Sequence, residues 1–510
     1  MVSTRMTIAT LIAALESRGI ILSLVDGEIR YRSPRNALSE ADKGQLRARR
    51  GEIIDFLRTR NNAKALRGAG ALTGPLTASV AQEMWRAFAG GPQEGRPITF
   101  NIAMVDKYSH DAPAVTAAIQ AVIARYETLR SRFKVRDGAL QVLLNPADAF
   151  VIEQEDLCHL SPERAAEAAL KGAQDFCAQV NPIEGEWLTH AKVFALPGGE
   201  SLGAVLSLHI VADAGTRNIV VDEIRDLLDH GAPRAAPAAA YNDYALAERD
   251  FLAGPQGEQL IAYWRRWYHD QPAVKGPSGG TALLWGNGTR IVRNFTMPGH
   301  VADKVRLRAQ AWKVTPFLIF FTIFSIAIAR WLKQERFTVS VLGDKRTSLE
   351  LSNMVGLMFC ADVVEIDAPA SADFETIMRS LQTEYDAALV LRIPTLHYWA
   401  PHCVRPGIEA PDYPNKIPAV FNYYSMGTAR ERADKKVRPD TTAALPWPPE
   451  IVTLPPQQWP RRSAPLFLHV NDTGQEVPMS LHFYQGVVSP ADQESFTAQL
   501  FQVFAETVLA

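Results

Sequence analysis

Cysteine is scarce in this chain: among 510 residues there are four, Cys158, Cys177, Cys360 and Cys403, none in Cys-x-x-Cys spacing. A disulfide framework and a structural zinc site are therefore not expected, and a reducing cytoplasm suits the composition. Charge of one sign is also missing. The formal net charge is −2, so bulk electrostatics select neither nucleic acid nor a membrane surface as partner. Long apolar runs are absent as well. The longest, Pro316 to Ala329, falls short of the roughly 20 residues a bilayer crossing requires and reads as a buried core helix. Glu16 and Arg18 interrupt the first apolar stretch, so no export signal is expected. No His-Glu-x-x-His or comparable spacing and no glycine-rich phosphate loop occurs, so neither metal nor nucleotide is expected.

What is there describes a folded protein: 47% apolar and 21% charged residues. The length exceeds one ordinary core, which predicts two large lobes and a smaller unit. Residues 1–60 read as that unit. Thr7 caps a helix whose Ile8, Leu11, Ile12 and Leu15 share one face, and Gly19 ends it. Strands Ile20–Leu24 and Glu28–Arg32 flank Val25-Asp26-Gly27, in which Asp-Gly supplies the positive φ of a hairpin turn. Ser39 caps a second helix with Leu46, Ile53, Ile54 and Leu57 as its inner stripe. Such a module buries too little surface for an active site and leaves a strand edge open, so binding is its expected task. Arg30, Arg32, Lys43, Arg47, Arg49 and Arg50 give it a basic face that suits an acidic peptide added as an extra strand, or is merely a solvated surface. Residues 61–72 read as a linker.

Beyond residue 72 helices and strands alternate, the mark of α/β architecture. A helix is expected at Pro113–Tyr126, a strand at Ala204–Ile210, a helix at Arg217–Leu228, and the apolar helix Pro316–Leu332 leading into a strand at Thr338–Leu342. The Pro/Ala stretch Gly231–Ala240 places the change of lobe soon after, giving lobes of 73–245 and 246–510. Arg438–Pro460, with seven prolines, reads as an irregular loop.

The segment that carries chemistry is Leu208-His209-Ile210-Val211-Ala212-Asp213-Ala214-Gly215-Thr216, where an apolar strand turns into an amphipathic helix, the place at which α/β folds bind ligands. Taken alone, a His-x-x-x-Asp pair is a weak signal, because His209 reads equally as a satisfied core histidine. Its surroundings are more specific. Leu76-Thr77-Ala78-Ser79-Val80-Ala81-Gln82-Glu83-Met84-Trp85, then Arg125-Tyr126-Glu127-Thr128-Leu129-Arg130, then His209 to Asp213, then Tyr241-Asn242-Asp243-Tyr244 with Tyr263, Trp264 and Trp267, then Gly343-Asp344-Lys345-Arg346 running to Val355-Gly356-Leu357-Met358-Phe359, and finally Phe421-Asn422-Tyr423-Tyr424 resemble, in order and spacing, the blocks of non-ribosomal peptide synthetase condensation domains. Leu208 stands where that family has a first His, Ala214 where it has Gly, and Cys360-Ala361 where it has Asn-Thr.

The resemblance implies a two-lobed chloramphenicol acetyltransferase-like α/β fold with a small N-terminal α+β docking domain. It implies an acyltransferase that forms an amide or ester bond, with His209 facing a tunnel between the lobes as proton acceptor or hydrogen-bond donor. Asp213 and Arg346 are expected as a structural ion pair, and the backbone N–H groups of Gly215 and Thr216 as candidate oxyanion donors. No cofactor would be bound: the acyl group would arrive on the phosphopantetheine of an upstream carrier protein, whose C-terminal peptide the 1–60 unit would capture. Residues 1–60 resemble the β-hairpin docking domains of such assembly lines. The acceptor would be a small amine or alcohol, or a second carrier protein, and the enzyme free-standing. A docking adaptor without catalysis and a coenzyme A-dependent acyltransferase remain as alternatives.

Overall fold

The computed structural model describes residues 11–12, 15, 20–25, 28–32, 38–54, 76–89, 101–136, 139–179, 182–233, 239–255, 257–258, 261–262, 270, 274, 276–277, 286–346, 351–390, 417–425, 449, 451–454, 457–474 and 476–509. The expected cap Thr7, the helix end at Gly19, the Asp26-Gly27 turn, Leu57, the 61–72 linker, Cys403 and the aromatic group at Tyr263, Trp264 and Trp267 lie outside them.

Strands β1 (Ile21–Val25) and β2 (Glu28–Arg32) pair antiparallel, with Val25 opposite Glu28. That register leaves two residues for the turn, as an Asp-Gly hairpin requires. Helix α1 (Glu40–Ala48) opens with the expected Ser39 cap: the Ser39 hydroxyl accepts from Asp42 N–H, and the Asp42 carboxylate accepts from Ser39 N–H. Leu11, Ile12, Leu15, Ile20, Leu22 and Ile53 form one buried cluster. Leu11, Ile12, Leu15 and Ile53 belong to the faces read from the 3.6-residue period, and Ile20 and Leu22 join them from the stretch read as a strand.

Helix α2 (Val80–Ala89) follows, then β3 (Asn101–Tyr108), α3 (Ala112–Arg125), the hairpin β4 (Ser131–Arg136) and β5 (Ala139–Leu144), β6 (Ile152–Asp156), α4 (Pro162–Cys177), β7 (Thr189–Leu196), β8 (Glu200–Leu208), α5 (Ala214–His230) and α6 (Tyr241–Ala253). Four of these strands form one sheet in the order β3-β8-β7-β6. The second lobe comprises β9 (Gly286–Met297), α7 (Gly299–Trp312), α8 (Pro316–Leu332), β10 (Arg336–Asp344), β11 (Phe359–Asp367), α9 (Phe374–Val390), β12 (Ala419–Ser425), β13 (Val452–Thr453), β14 (Gln457–Ser463), β15 (Leu466–Asp472), β16 (Val477–Tyr484) and α10 (Pro490–Phe504). Its sheet runs β11-β10-β12-β15-β16-β9-β13, with β14 also on β9.

Helix α8 is the expected core helix, buried at every residue from Leu318 to Ala329. Among the described residues no single helix is long and apolar enough to cross a membrane. One expectation fails. The end of the proline-rich segment is not loop, since β13 and β14 pair with β9. These are short strands at the end of the sheet, the position in which proline is tolerated, and the register shifts between Trp459 and Ser463, around Pro460.

Candidate active site

Strand β8 ends one residue before His209, two short of the expected Ile210. Val211 N–H donates to Leu208 C=O at 2.9 Å, and this closes the chain into a turn. The turn is held from the first lobe by Gln82, whose Nε2 donates to Ile210 C=O at 3.1 Å. Asp213 then caps α5 by accepting from Thr216 N–H at 2.8 Å, so the helix begins at Ala214 and not at Arg217.

Leu208, the last residue of β8, and His209, the residue after it, have different fates. Leu208 is buried with Ala78, Phe133, Leu140, Leu188, Ile210 and Val211. His209 is half-buried, its ring centroid 4.6 Å from that of Trp85 on α2 and 5.5 Å from that of Phe359 on β11. One aromatic from each lobe thus bounds the imidazole. Both aromatics fall inside motif blocks of the sequence, yet neither is assigned to the site there, because nothing local in a sequence says that residues 85, 209 and 359 meet.

Asp213 and Arg346 form the centre of a network that joins the lobes. Arg346 donates from Nη2 to Asp213 Oδ1 at 2.9 Å and from Nη1 to Oδ2 at 3.0 Å, a two-pronged pair. Met358 N–H donates to Asp213 Oδ2 at 2.7 Å. Arg346 Nη2 and Nε also donate to the carbonyls of Gly356 and Met354. The Thr216 hydroxyl donates to Gly356 C=O and accepts from Gly356 N–H. Two glycines make room: a Cβ at Gly215 would stand 2.3 Å from Arg346 Nη1, and one at Gly356, where φ is +152°, would stand 2.3 Å from the Tyr241 ring.

This network corrects the oxyanion expectation at Thr216. Its N–H is spent on the Asp213 carboxylate and its side chain is fully buried, so Thr216 belongs to the scaffold. Gly215 is packed against Arg346 of the same scaffold.

Burial alone would raise the Asp213 carboxyl, but the Arg346 guanidinium and the N–H donors hold it below the ordinary aspartate value. His209 moves in the direction that a proton acceptor needs. Burial lowers its pKa, and the opposing pull of the Asp213 carboxylate and of the His209 and Ala212 backbone does not restore it. The imidazole is therefore neutral at neutral pH.

A second buried network braces the same junction. Lys345 Nζ donates to Glu248 Oε1 at 3.0 Å and to the Tyr244 hydroxyl at 2.9 Å, while Glu248 Oε2 accepts from Val80 N–H at 2.7 Å at the start of α2. The Tyr241 hydroxyl bonds Ser79 and donates to Leu357 C=O.

The position of Leu208 bears on its replacement of the family's first His. It sits in an apolar cluster, where an imidazole would be buried without a partner. Leu208→His is expected to lower stability by about 1–3 kcal/mol without raising turnover, as read by thermal melting and steady-state kinetics. Ala214 is exposed at the first helical position of α5, where a Cβ is tolerated.

On the N-terminal unit, Lys43 pairs with Glu40 at 2.6 Å, Arg49 with Glu52 at 2.8 Å and Arg50 with Glu28 at 2.8 Å. Arg47 is exposed, and Arg30 and Arg32 lie on β2. The basic face is thus smaller than its residue count suggests, because Lys43, Arg49 and Arg50 each have a carboxylate of their own.

The condensation-domain family model matches residues 92–390, and the TubC N-terminal docking-domain model matches residues 8–59. A solved structure giving the molecular basis for condensation domain-mediated chain release from the enacyloxin polyketide synthase is 33% identical. That match covers 99% of this chain and 96% of that one, with a TM-score of 0.79. The EpoB cyclization-docking bidomain from Sorangium cellulosum shares the fold at 16% identity, with a TM-score of 0.61 over 98% of this chain and 99% of that one. The chondramide synthase cmdD of Chondromyces crocatus is 24% identical over 306 residues, which are 56% of this chain and 8% of that protein. This chain therefore spans only a small fraction of the length of such curated relatives.

Proposed function

Because the chain belongs to the condensation-domain family and carries a TubC-type docking domain ahead of that domain, we propose that it transfers an acyl group from a carrier-protein thioester to an amine or hydroxyl acceptor, forming an amide or an ester. The observation that carries this reading is His209: a neutral imidazole at the junction of the lobes, on a turn fixed by the Asp213–Arg346 pair. No bound cofactor is needed. The thioester on a partner's phosphopantetheine arm is already activated, so positioning and one proton-handling group suffice. His209 takes the proton as the acceptor attacks, and the carrier thiolate leaves.

The docking domain favours tethered substrates over soluble coenzyme A thioesters, because docking raises the effective concentration of a carrier-bound chain. Among the described residues β2 pairs with β1 alone, and its other edge offers a place for the C-terminal peptide of a carrier protein to add as a strand. Chain release from a polyketide synthase, which the enacyloxin structure concerns, is the version of this chemistry that a small free acceptor would give.

The test is multiple turnover with an acyl-loaded carrier and a panel of amines and alcohols, followed by intact mass. Loss of the acyl group from the carrier with a matching product mass supports transfer and separates ester from amide. A carrier that binds yet keeps its acyl group with every acceptor overturns it in favour of an adaptor. A pH profile adds a further expectation. The active form of His209 is the neutral one and its pKa is lowered, so kcat/KM should stay flat through neutral pH and fall only below the ordinary histidine range.

A further inference from the structure

The second-lobe sheet has two unlike faces. Leu466, Leu468 and Val470 of β15 point into the core, with α8 and α10 packed above them. On the opposite face, register places Phe359, Ala361, Leu342, Asn422, His469 and Ser480 in one band across β11, β10, β12, β15 and β16. This is the face whose Phe359 meets His209, and farther along it carries His482 and Arg290.

Arg290 Nη1 lies 2.8 Å from His482 Nδ1. A guanidinium only donates, so His482 Nδ1 accepts and the ring proton sits on Nε2. Asn422 Nδ2 lies 3.1 Å from His469 Nδ1, and this amide donor fixes His469 in the same tautomer. The rings are 5.0 Å apart, both half-buried, with His469 stacked on Phe467 at 4.1 Å. Burial and the Arg290 charge hold the imidazoles neutral, His469 down at about 3 and His482 at about 2. The result is two neutral rings with Nε2–H donors, backed by a buried cation.

Building on the acyl-transfer reading, we propose that His469 and His482, backed by Arg290, form a substrate subsite for a carboxylate on a part of the substrate remote from the reacting bond. A carboxylate accepts from both donors and is favoured by the cation. A hydroxyl brings a proton that needs an acceptor, and an ammonium is repelled. Three strand spacings, roughly 14 Å, separate β11 beside His209 from β15, so the carboxylate belongs to the far end of a long chain. That chain is either the donor's acyl group or a long acceptor.

Two substrate arms separate these sources. One uses a carrier loaded with an azelaoyl chain or its terminal carboxamide, and the other uses ω-aminolauric acid or its carboxamide as acceptor. In one arm the wild type should prefer the carboxylate by about tenfold or more in kcat/KM. His469→Phe, which keeps a ring on Phe467, should erase that preference, bringing kcat/KM for the carboxylate down to that for the carboxamide measured on the same variant. His482→Gln, whose amide both accepts from Arg290 and donates, should retain most of it. Equal use of carboxylate and carboxamide by the wild type in both arms, or a preference that survives His469→Phe, overturns the subsite. If no substrate is turned over, the transfer reading fails and binding decides. Azelate, but not azelamide, shifting the imidazole nitrogen resonances of the wild type and not of His469→Phe supports the subsite, and no shift overturns it.

Discussion

Arg346→Ala should destabilise the protein by about 3–5 kcal/mol, enough to lower its yield of soluble protein and its melting temperature sharply. Asp213 is 4% exposed and accepts from Arg346 through both carboxylate oxygens, so removing the guanidinium strands a buried charge. The Gly356 and Met354 carbonyls and the Thr216 hydroxyl lose a donor at the same time. Arg346→Lys should not rescue the loss, because an ammonium cannot span both oxygens of Asp213. Protonating Asp213 should act in the same direction. Its carboxyl is held below the ordinary value, so its contribution is fully present above the ordinary aspartate range and is lost as pH falls through the depressed value. Thermal melts of wild type and both variants check the first expectation, and melts of the wild type against pH check the second. A soluble Arg346→Ala protein melting within a few degrees of wild type would contradict the structural role.

His209→Ala should behave in the opposite way, with melting almost unchanged and kcat/KM for acyl transfer lowered by about 10²–10⁴. His209 is half-buried and packed against Trp85 and Phe359, so its loss removes a proton acceptor and little of the core. The residual rate would come from positioning alone. Equal losses of stability and rate would instead mark His209 as a core histidine.

These two variants also divide what was legible in the sequence from what was not. The His209, Asp213 and Arg346 assignments came from motif blocks, and the ion pair links residues 133 apart in sequence, a contact that periodicity alone does not give. Local signals gave the Ser39 cap, the hairpin and the buried helix α8, because each is decided by its own few residues. Other features needed the fold. The oxyanion expectation at Thr216 fails on geometry that no sequence shows, the use of its N–H by the Asp213 cap. The basic face of the N-terminal unit lost three of its charges to nearby carboxylates. Strands β13 and β14 were hidden by prolines that the end of a sheet accommodates. The Arg290, His469 and His482 cluster draws on three strands separated by up to 192 residues, and no short motif announces it.

Acyl transfer at His209 is tested by the single-turnover reaction of an acyl-loaded carrier with excess acceptor at neutral pH, wild type beside His209→Ala. The expected result is rapid loss of the acyl group with the wild type and near-complete retention with the variant. Equal rates in the two proteins, or retention by both while the carrier is bound, would contradict it.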